Sequence, residues 1–150
     1  MNLSYIKSAS QSKLTRSDNI SMLNQTAIYA IRAMGFLAKQ DTEEPVLSST
    51  IASEMNIPRN FLSKILNRLA QAGLILATRG RGGGVMLSRP KSDIFLFDVV
   101  NLFMKVDDYK QCLLGLSNCN GSCGLHRRWK IISEQFEKML NETTIAQALK

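Results

Sequence analysis

The chain has 150 residues, 45% apolar and 21% charged, with a net charge of +7. That length fits one domain with an appendage and can bury a core without disulfide staples. No apolar run nears the ~20 residues of a membrane span, and residues 1–22 lack the apolar stretch of a secretory signal. The expectation is a cytoplasmic protein with reduced thiols and no membrane partner.

The charge is unevenly spread. Between Met55 and Ser92 there is no Asp or Glu, whereas Arg59, Lys64, Arg68, Arg79, Arg81, Arg89 and Lys91 all stand there. Such a field suits a polyanion such as double-stranded DNA. The plainer alternative is a solvated basic face.

Residues 1–21 are polar and aperiodic and read as a disordered arm. Ser21 or Asn24 can cap a first helix to about Lys39, with Ala27, Ile28, Ala30, Ile31, Met34, Leu37 and Ala38 as its buried stripe. Ser48 can cap a short second helix with Ile51, Ala52 and Met55 inward. Asn56-Ile57 breaks it, and Pro58 suits the first turn of a third helix, where its missing N–H has no partner to lose. Phe61, Leu62, Ile65, Leu66, Leu69 and Ala72 form the apolar stripe of that helix, and Gly73 ends it. Two strand-like runs, 74–78 and 85–88, flank the turn Arg79-Gly80-Arg81-Gly82-Gly83-Gly84, which predicts a β-hairpin. A helix follows over 96–104, then a Cys/Gly/Asn loop over 109–124. A last helix spans about 125–140, its apolar Leu125, Trp129, Ile132, Phe136 and Met139 spaced 4, 3, 4, 3. That narrow seam suits pairing with a partner helix.

Short helix, tight turn, second helix and basic hairpin make a winged helix-turn-helix. The fold class is therefore mainly α with a small β-hairpin wing, followed by a long C-terminal helix. The second helix of such a pair enters the major groove with its N-terminal residues nearest the bases. Arg59, Asn60, Ser63 and Lys64 occupy those positions. Arg pairs with guanine and Asn with adenine. Lys64 and Arg68 sit one turn apart, suited to phosphates, which position without specifying. In the wing, glycines let backbone approach DNA, and Arg79 and Arg81 reach for phosphate or the minor groove. A nucleotide phosphate loop needs Gly-Lys-Ser/Thr opening a helix; this run lacks it and leads into a strand.

Cys112, Cys119 and Cys123 precede His126, the only histidine, in a C-x6-C-x3-C-x2-H pattern. Small buried hydrophobes are the ordinary role of cytosolic cysteines. A loop with Gly115, Asn118, Asn120, Gly121, Ser122 and Gly124 buries thiols poorly by packing but can wrap a metal. Three thiolates and an imidazole suit structural zinc or a [2Fe–2S] cluster. The spacing is not the paired cysteines of common zinc modules. A thiol switch, and a Cys-based redox enzyme with a Cys–His pair, are the further readings.

These residues resemble the Rrf-two family of winged-helix regulators over about 22–140. The first helix has Tyr29-Ala30-Ile31-Arg32-Ala33, and the reading helix Ile57-Pro58-Arg59-Asn60-Phe61-Leu62-Ser63-Lys64-Ile65-Leu66 is similar throughout. The most specific match is Ala72-Gly73-Leu74-Ile75 leading to Arg79-Gly80-Arg81-Gly82-Gly83-Gly84-Val85-Met86-Leu87. Cys112-Leu113-Leu114-Gly115 through Cys123-Gly124-Leu125-His126-Arg127-Arg128-Trp129 resembles the cluster loop of members that bind iron–sulfur clusters. The resemblance implies a homodimeric transcription regulator, a repressor or activator, built on helix 125–140. It also implies a palindromic operator and a cluster on Cys112, Cys119 and Cys123, with His126 as fourth ligand. Some nitric-oxide-sensing members use an acidic residue of the first helix instead; the matching position is Ile28, which cannot ligate. Two departures stand out: the gap between the second and third cysteines is short, and Ser63 stands where some members have Glu. The implied organisation is an arm over 1–21, a winged helix-turn-helix domain over 22–92, and a cluster loop with dimerisation helix over 93–150.

Overall fold

The computed structural model describes residues 22–40, 44–80 and 82–148. The arm expected over 1–21 lies outside them, as does Arg81. The described residues form a winged helix-turn-helix with a long helix after it.

The first helix, α1 (Gln25–Lys39), is capped by Asn24, whose side-chain oxygen accepts the Ala27 N–H at 2.8 Å. Its inward face is Ala27, Ala30, Ala33, Met34, Leu37 and Ala38. Ile28 and Ile31, expected in the stripe, are half-buried, because the alanines take the line of closest approach.

Helix α2 (Ser48–Glu54) begins without the expected Ser48 cap. Leu47 holds the cap position, and no side chain closes it. Backbone pairing sets the start instead: Val46 exchanges two 2.8 Å hydrogen bonds with Val85. Asn56 then takes a positive φ of 50° and ends the short helix. Helix α3 (Arg59–Gln71) follows, with Pro58 just outside it at the N-cap. Leu62, Ile65, Leu66 and Leu69 face the core. Phe61 and Ala72, expected inward, are exposed. Four residues already fill the arc that a helical period allows one core-facing side, and Phe61 lies ~100° round from Leu62.

Gly73 closes α3. Its φ of +71° lets its own N–H reach Ala70 O and the Leu74 N–H reach Leu69 O, both at 3.0 Å. This is the Schellman arrangement, with Leu69 and Leu74 both buried. It turns the chain directly into the hairpin.

Strands β1 (Ile75–Thr78) and β2 (Gly84–Leu87) pair antiparallel, Ile75 opposite Leu87 and Thr78 opposite Gly84. Ile75 and Val85 point into the core. Helix α4 (Leu96–Val100) is shorter than the expected 96–104. The N–H groups of Phe103 and Met104 both turn back onto Val100 O, at 3.0 and 3.1 Å, and the chain leaves the helix there. A 3-10 turn over Val106–Lys110 leads to the cysteine loop and then to α5 (Gly124–Glu142).

The tail forms a further helix, α6 (Ile145–Ala148). Leu96 N–H donates to Thr143 O at 2.9 Å and Ile145 N–H to Ile94 O at 2.8 Å, which stitches it to the start of α4. Ile145 is fully buried, and α6 packs on α1. Truncating Ile145 to Ala should therefore cost about 2–5 kcal/mol, as for other fully buried Ile truncations. Chemical denaturation measures this; an unchanged midpoint would place the tail outside the cooperative core.

Candidate functional site

The outward face of α3 lies opposite its buried leucines and isoleucine. Asn60 and Lys64 are exposed there, and Arg59 and Ser63 are exposed on the side of the helix towards Ser48 and Ser49. The Ser63 hydroxyl donates to Arg59 O at 2.9 Å, so its oxygen lone pairs remain free to accept. Arg79 and Gly80 of the wing close a cleft of about 340 Å³ over α3, also lined by Ser48, Ser63, Asn67 and Thr78. Arg59, Lys64 and Arg79 form no ion pair among the described residues. Arg89, in the same acid-free stretch, is paired with Asp98 at 3.2 Å, and Lys91 donates to Ala38 O at 2.9 Å. The free positive charge is thus concentrated on α3 and the wing. Arg68 lies on the flank of α3, its Cζ 5.9 Å from the Phe103 ring centroid.

Two of the wing glycines have an internal reason. A Cβ on Gly84 would stand 2.5 Å from Val46 O, and one on Gly83 would stand 2.4 Å from Thr78 O. Both contacts are with backbone, which cannot move aside cheaply. Gly84 lets the hairpin pack against the segment before α2, and Gly83 lets its turn close on Thr78 and Gly80, in addition to any approach to DNA.

Asn67 was missed in the sequence, although it sits four residues beyond Ser63, a spacing that puts both on one helical face. Nothing in the sequence marks the contribution of Phe103 or Tyr109, since both act through tertiary contacts.

The cysteine loop ends at α5. Cys123 is the N-cap of α5, and its sulfur accepts the His126 backbone N–H at 3.3 Å. Cys119 Sγ lies 3.6 Å from His126 Nδ1. The Cys112 thiol is held below its ordinary pKa by the backbone N–H groups of Leu116 and Leu114, with a smaller contribution from Cys119. Gly121 takes the space beside the imidazole: a Cβ there would be 3.2 Å from His126 Nε2. Cys119 and Cys123 are therefore each drawn to His126. No three His, Cys, Asp or Glu side chains among the described residues stand in an arrangement that holds a single metal ion. In chemistry the set fits an iron–sulfur cluster or zinc: three soft thiols and one imidazole, in a loop of small residues. The positive end of α5 favours an anionic group there.

The loop is tied back to the rest of the chain through Tyr109. Its carbonyl accepts Trp129 Nε1–H at 2.7 Å, and its hydroxyl donates to the Met22 carbonyl. Burial pushes the phenol pKa up. Its ring meets Phe136 edge-on, with centroids 5.3 Å apart. Beside it, Lys110 bridges Asp107 at 2.9 Å and Glu137 at 3.0 Å. The expected seam of α5 is thereby divided. Trp129 and Phe136 face their own chain, whereas Leu125, Ile132 and Met139 are 43, 48 and 47% exposed.

A basic reading helix, a wing and a helical core define a winged helix-turn-helix transcription regulator. The comparisons agree. The family model Rrf2, described as an iron-dependent transcriptional regulator, matches residues 23–150. The HTH-type transcriptional regulator IscR of Serratia proteamaculans is 31% identical over 121 residues, 79% of this chain and 73% of that protein. IscR of Vibrio atlanticus is 30% identical over 81% of this chain and 71% of its own. Among solved structures, T. potens IscR superposes with a TM-score of 0.69 at 24% identity, covering 86% of each chain. CymR, the global cysteine regulator of B. subtilis, superposes with a TM-score of 0.74 at 22% identity, over 87% of this chain and 97% of that one. The chain belongs to the Rrf2 family: it is a transcription regulator and not an enzyme. No described helix is long and apolar enough to cross a membrane.

The position of Arg79 gives a direct test. Arg79→Ala should weaken duplex binding and lower the slope of log affinity against log salt by about one, the loss of one phosphate contact. Fluorescence anisotropy at several salt concentrations measures both. An unchanged slope would remove Arg79 from the phosphate-contacting set.

Proposed function

We propose that this regulator binds a palindromic operator as a cytoplasmic homodimer, and that an iron–sulfur cluster on Cys112, Cys119, Cys123 and His126 sets its affinity. Arg59, Asn60, Ser63 and Lys64 face the major groove, while Arg68, Arg79 and Arg81 reach phosphate or the minor groove. The dimer is built on the helix spanning 125–140, and its two-fold axis sets the half-sites about 34–36 Å, or a multiple, apart. The exposed Leu125, Ile132 and Met139 supply the apolar surface such a pairing buries. The residues before 22 are an arm, 22–92 the reading domain, and 93–150 the sensing and pairing half.

The observation that carries the cluster reading is the 3.6 Å approach of Cys119 to His126, with Cys123 bonded to the same residue. The family's description as iron-dependent supports iron over zinc. When bound, the cluster supplies a redox- and iron-responsive link between the loop and α5. The chain's own part is mechanical. Cys123 caps α5, Cys112 follows the turn that anchors Tyr109, and His126 stands in the first turn of α5. A ligand state alters DNA binding only by its differential affinity for the two arrangements of these elements.

Anaerobic purification with a visible spectrum and iron, zinc and sulfide analysis tests this. A red-brown protein with near-equal iron and sulfide is the expected result, and Cys119→Ala should be colourless yet fold and dimerise normally. One zinc per wild-type chain would replace the cluster with a structural site. A Cys119→Ala protein with full metal content would sink the ligand assignment.

A further inference from the structure

The flank of α3 joins the reading face to the segment that leads to the cysteines. Counting ~100° per residue around the helix, Asn60, Lys64 and Asn67 stand opposite the buried face, and Arg68 stands to one side. There its guanidinium lies over Phe103, at a distance where a cation is drawn to the ring face. No hydrogen bond or ion pair occupies its N–H groups among the described residues. A guanidinium held over a ring keeps its donor edge available for a phosphate.

Phe103 is itself fixed. Its carbonyl accepts Asn24 Nδ2–H at 2.9 Å, and Asn24 caps α1. Its N–H is bonded to Val100 O. Beyond it comes the turn over Val106–Lys110, where Tyr109 is held by Trp129 of α5 and by the Met22 carbonyl. Cys112 is three residues further on. A line of hydrogen bonds and short chain segments therefore runs from the cysteine loop, through Tyr109, the start of α1 and Phe103, to the reading helix.

We propose that Phe103 is a positioning residue for DNA binding. It holds the Arg68 guanidinium beside the reading face, where Arg68 neutralises a backbone phosphate. The segment before Cys112 thereby governs one of the contacts that grip the duplex. This inference rests on the DNA-binding reading above.

The test is a double-mutant cycle on the full chain, with a duplex that the wild-type protein recovers from a random-sequence pool. Arg68→Ala should weaken binding and lower the salt slope by about one. Phe103→Leu, which keeps apolar volume, should weaken binding roughly two- to fivefold, the range for an exposed cation–ring contact. It should also lower the salt slope, which a purely structural loss would leave alone. The double variant should bind no more weakly than Arg68→Ala, and Phe103→Tyr should restore wild-type binding. Arg68 is exposed, so its variant reports on the phosphate contact without risk to the fold. Additive losses, or an unchanged salt slope in Arg68→Ala, would overturn the proposal while leaving the DNA reading intact. A wild-type chain without salt-dependent duplex binding would overturn both.

Discussion

The alanine face of α1 is the constraint on which the rest of the molecule depends. Ala27, Ala30 and Ala33 are completely buried, and α3, α4, α6 and β2 all pack against this one helix. Small side chains let helix axes come to the near end of the 8–10 Å packing range. A larger residue at any of the three would push out a neighbour that is itself held elsewhere. α3 is tied to the wing through Gly73, and α6 is tied to α4 through the Ile94–Ile145 hydrogen bond. The reading helix and the elements flanking the cysteine loop are thus referred to a common support. Asn24 strengthens that reference, because its one side chain both caps α1 and holds the Phe103 carbonyl.

Much of this was legible in the sequence because it rests on local chemistry. Pro58 and Gly73 bracket the reading helix by backbone rules that need no tertiary partner, and both lie within two residues of its ends. The hairpin followed from two apolar runs around glycine. What failed to show depends on partners distant in the chain. Ser48 looks like a cap, but Val46 pairing with Val85 already fixes how the chain enters α2. Phe61 fits a helical stripe on paper and is exposed, because Leu62, Ile65, Leu66 and Leu69 complete the inward arc. The tail helix α6 has too few residues for a periodic signal, and its burial comes from α1 and the segment that precedes α4.

The candidate site divides the same way. Residue types and spacing identify the exposed reading positions Arg59, Asn60, Ser63 and Lys64, since a helix presents them wherever it is placed. Arg68 belongs to the same acid-free run, yet its direction is decided by Phe103, 35 residues on in the chain. The four cysteine-loop donors were identifiable from a glycine-rich setting that buries thiols poorly. The contacts of Cys119 and Cys123 with His126 were not, because they depend on where Cys123 ends the loop and α5 begins. Gly83 and Gly84 invite a reading in terms of DNA alone. Their Cβ positions show that the wing's own packing against Val46 and Thr78 already excludes side chains there.

Helix α5 carries three demands on one set of positions, and their geometry explains its divided seam. Its first turn is bonded to the loop through Cys123 and His126. Trp129 and Phe136, seven residues apart, anchor it to Tyr109 of the same chain. Leu125, Ile132 and Met139 repeat every seven residues along a different line and face outward. A rigid helix of 19 residues is ~28 Å long and cannot shift at one end without carrying the other. A displacement at Cys123 is therefore felt at the Tyr109 anchor and along the outward line together. Tyr109 also holds Met22, two residues before the cap of α1 that fixes Phe103. The loop consequently has two mechanical outlets: one along α5 to its exposed apolar line, and one through the start of α1 to the flank of α3. Both begin within a few residues of the thiols, so this placement allows a small change at the loop to reach the exposed apolar line of α5 and the flank of α3 at once.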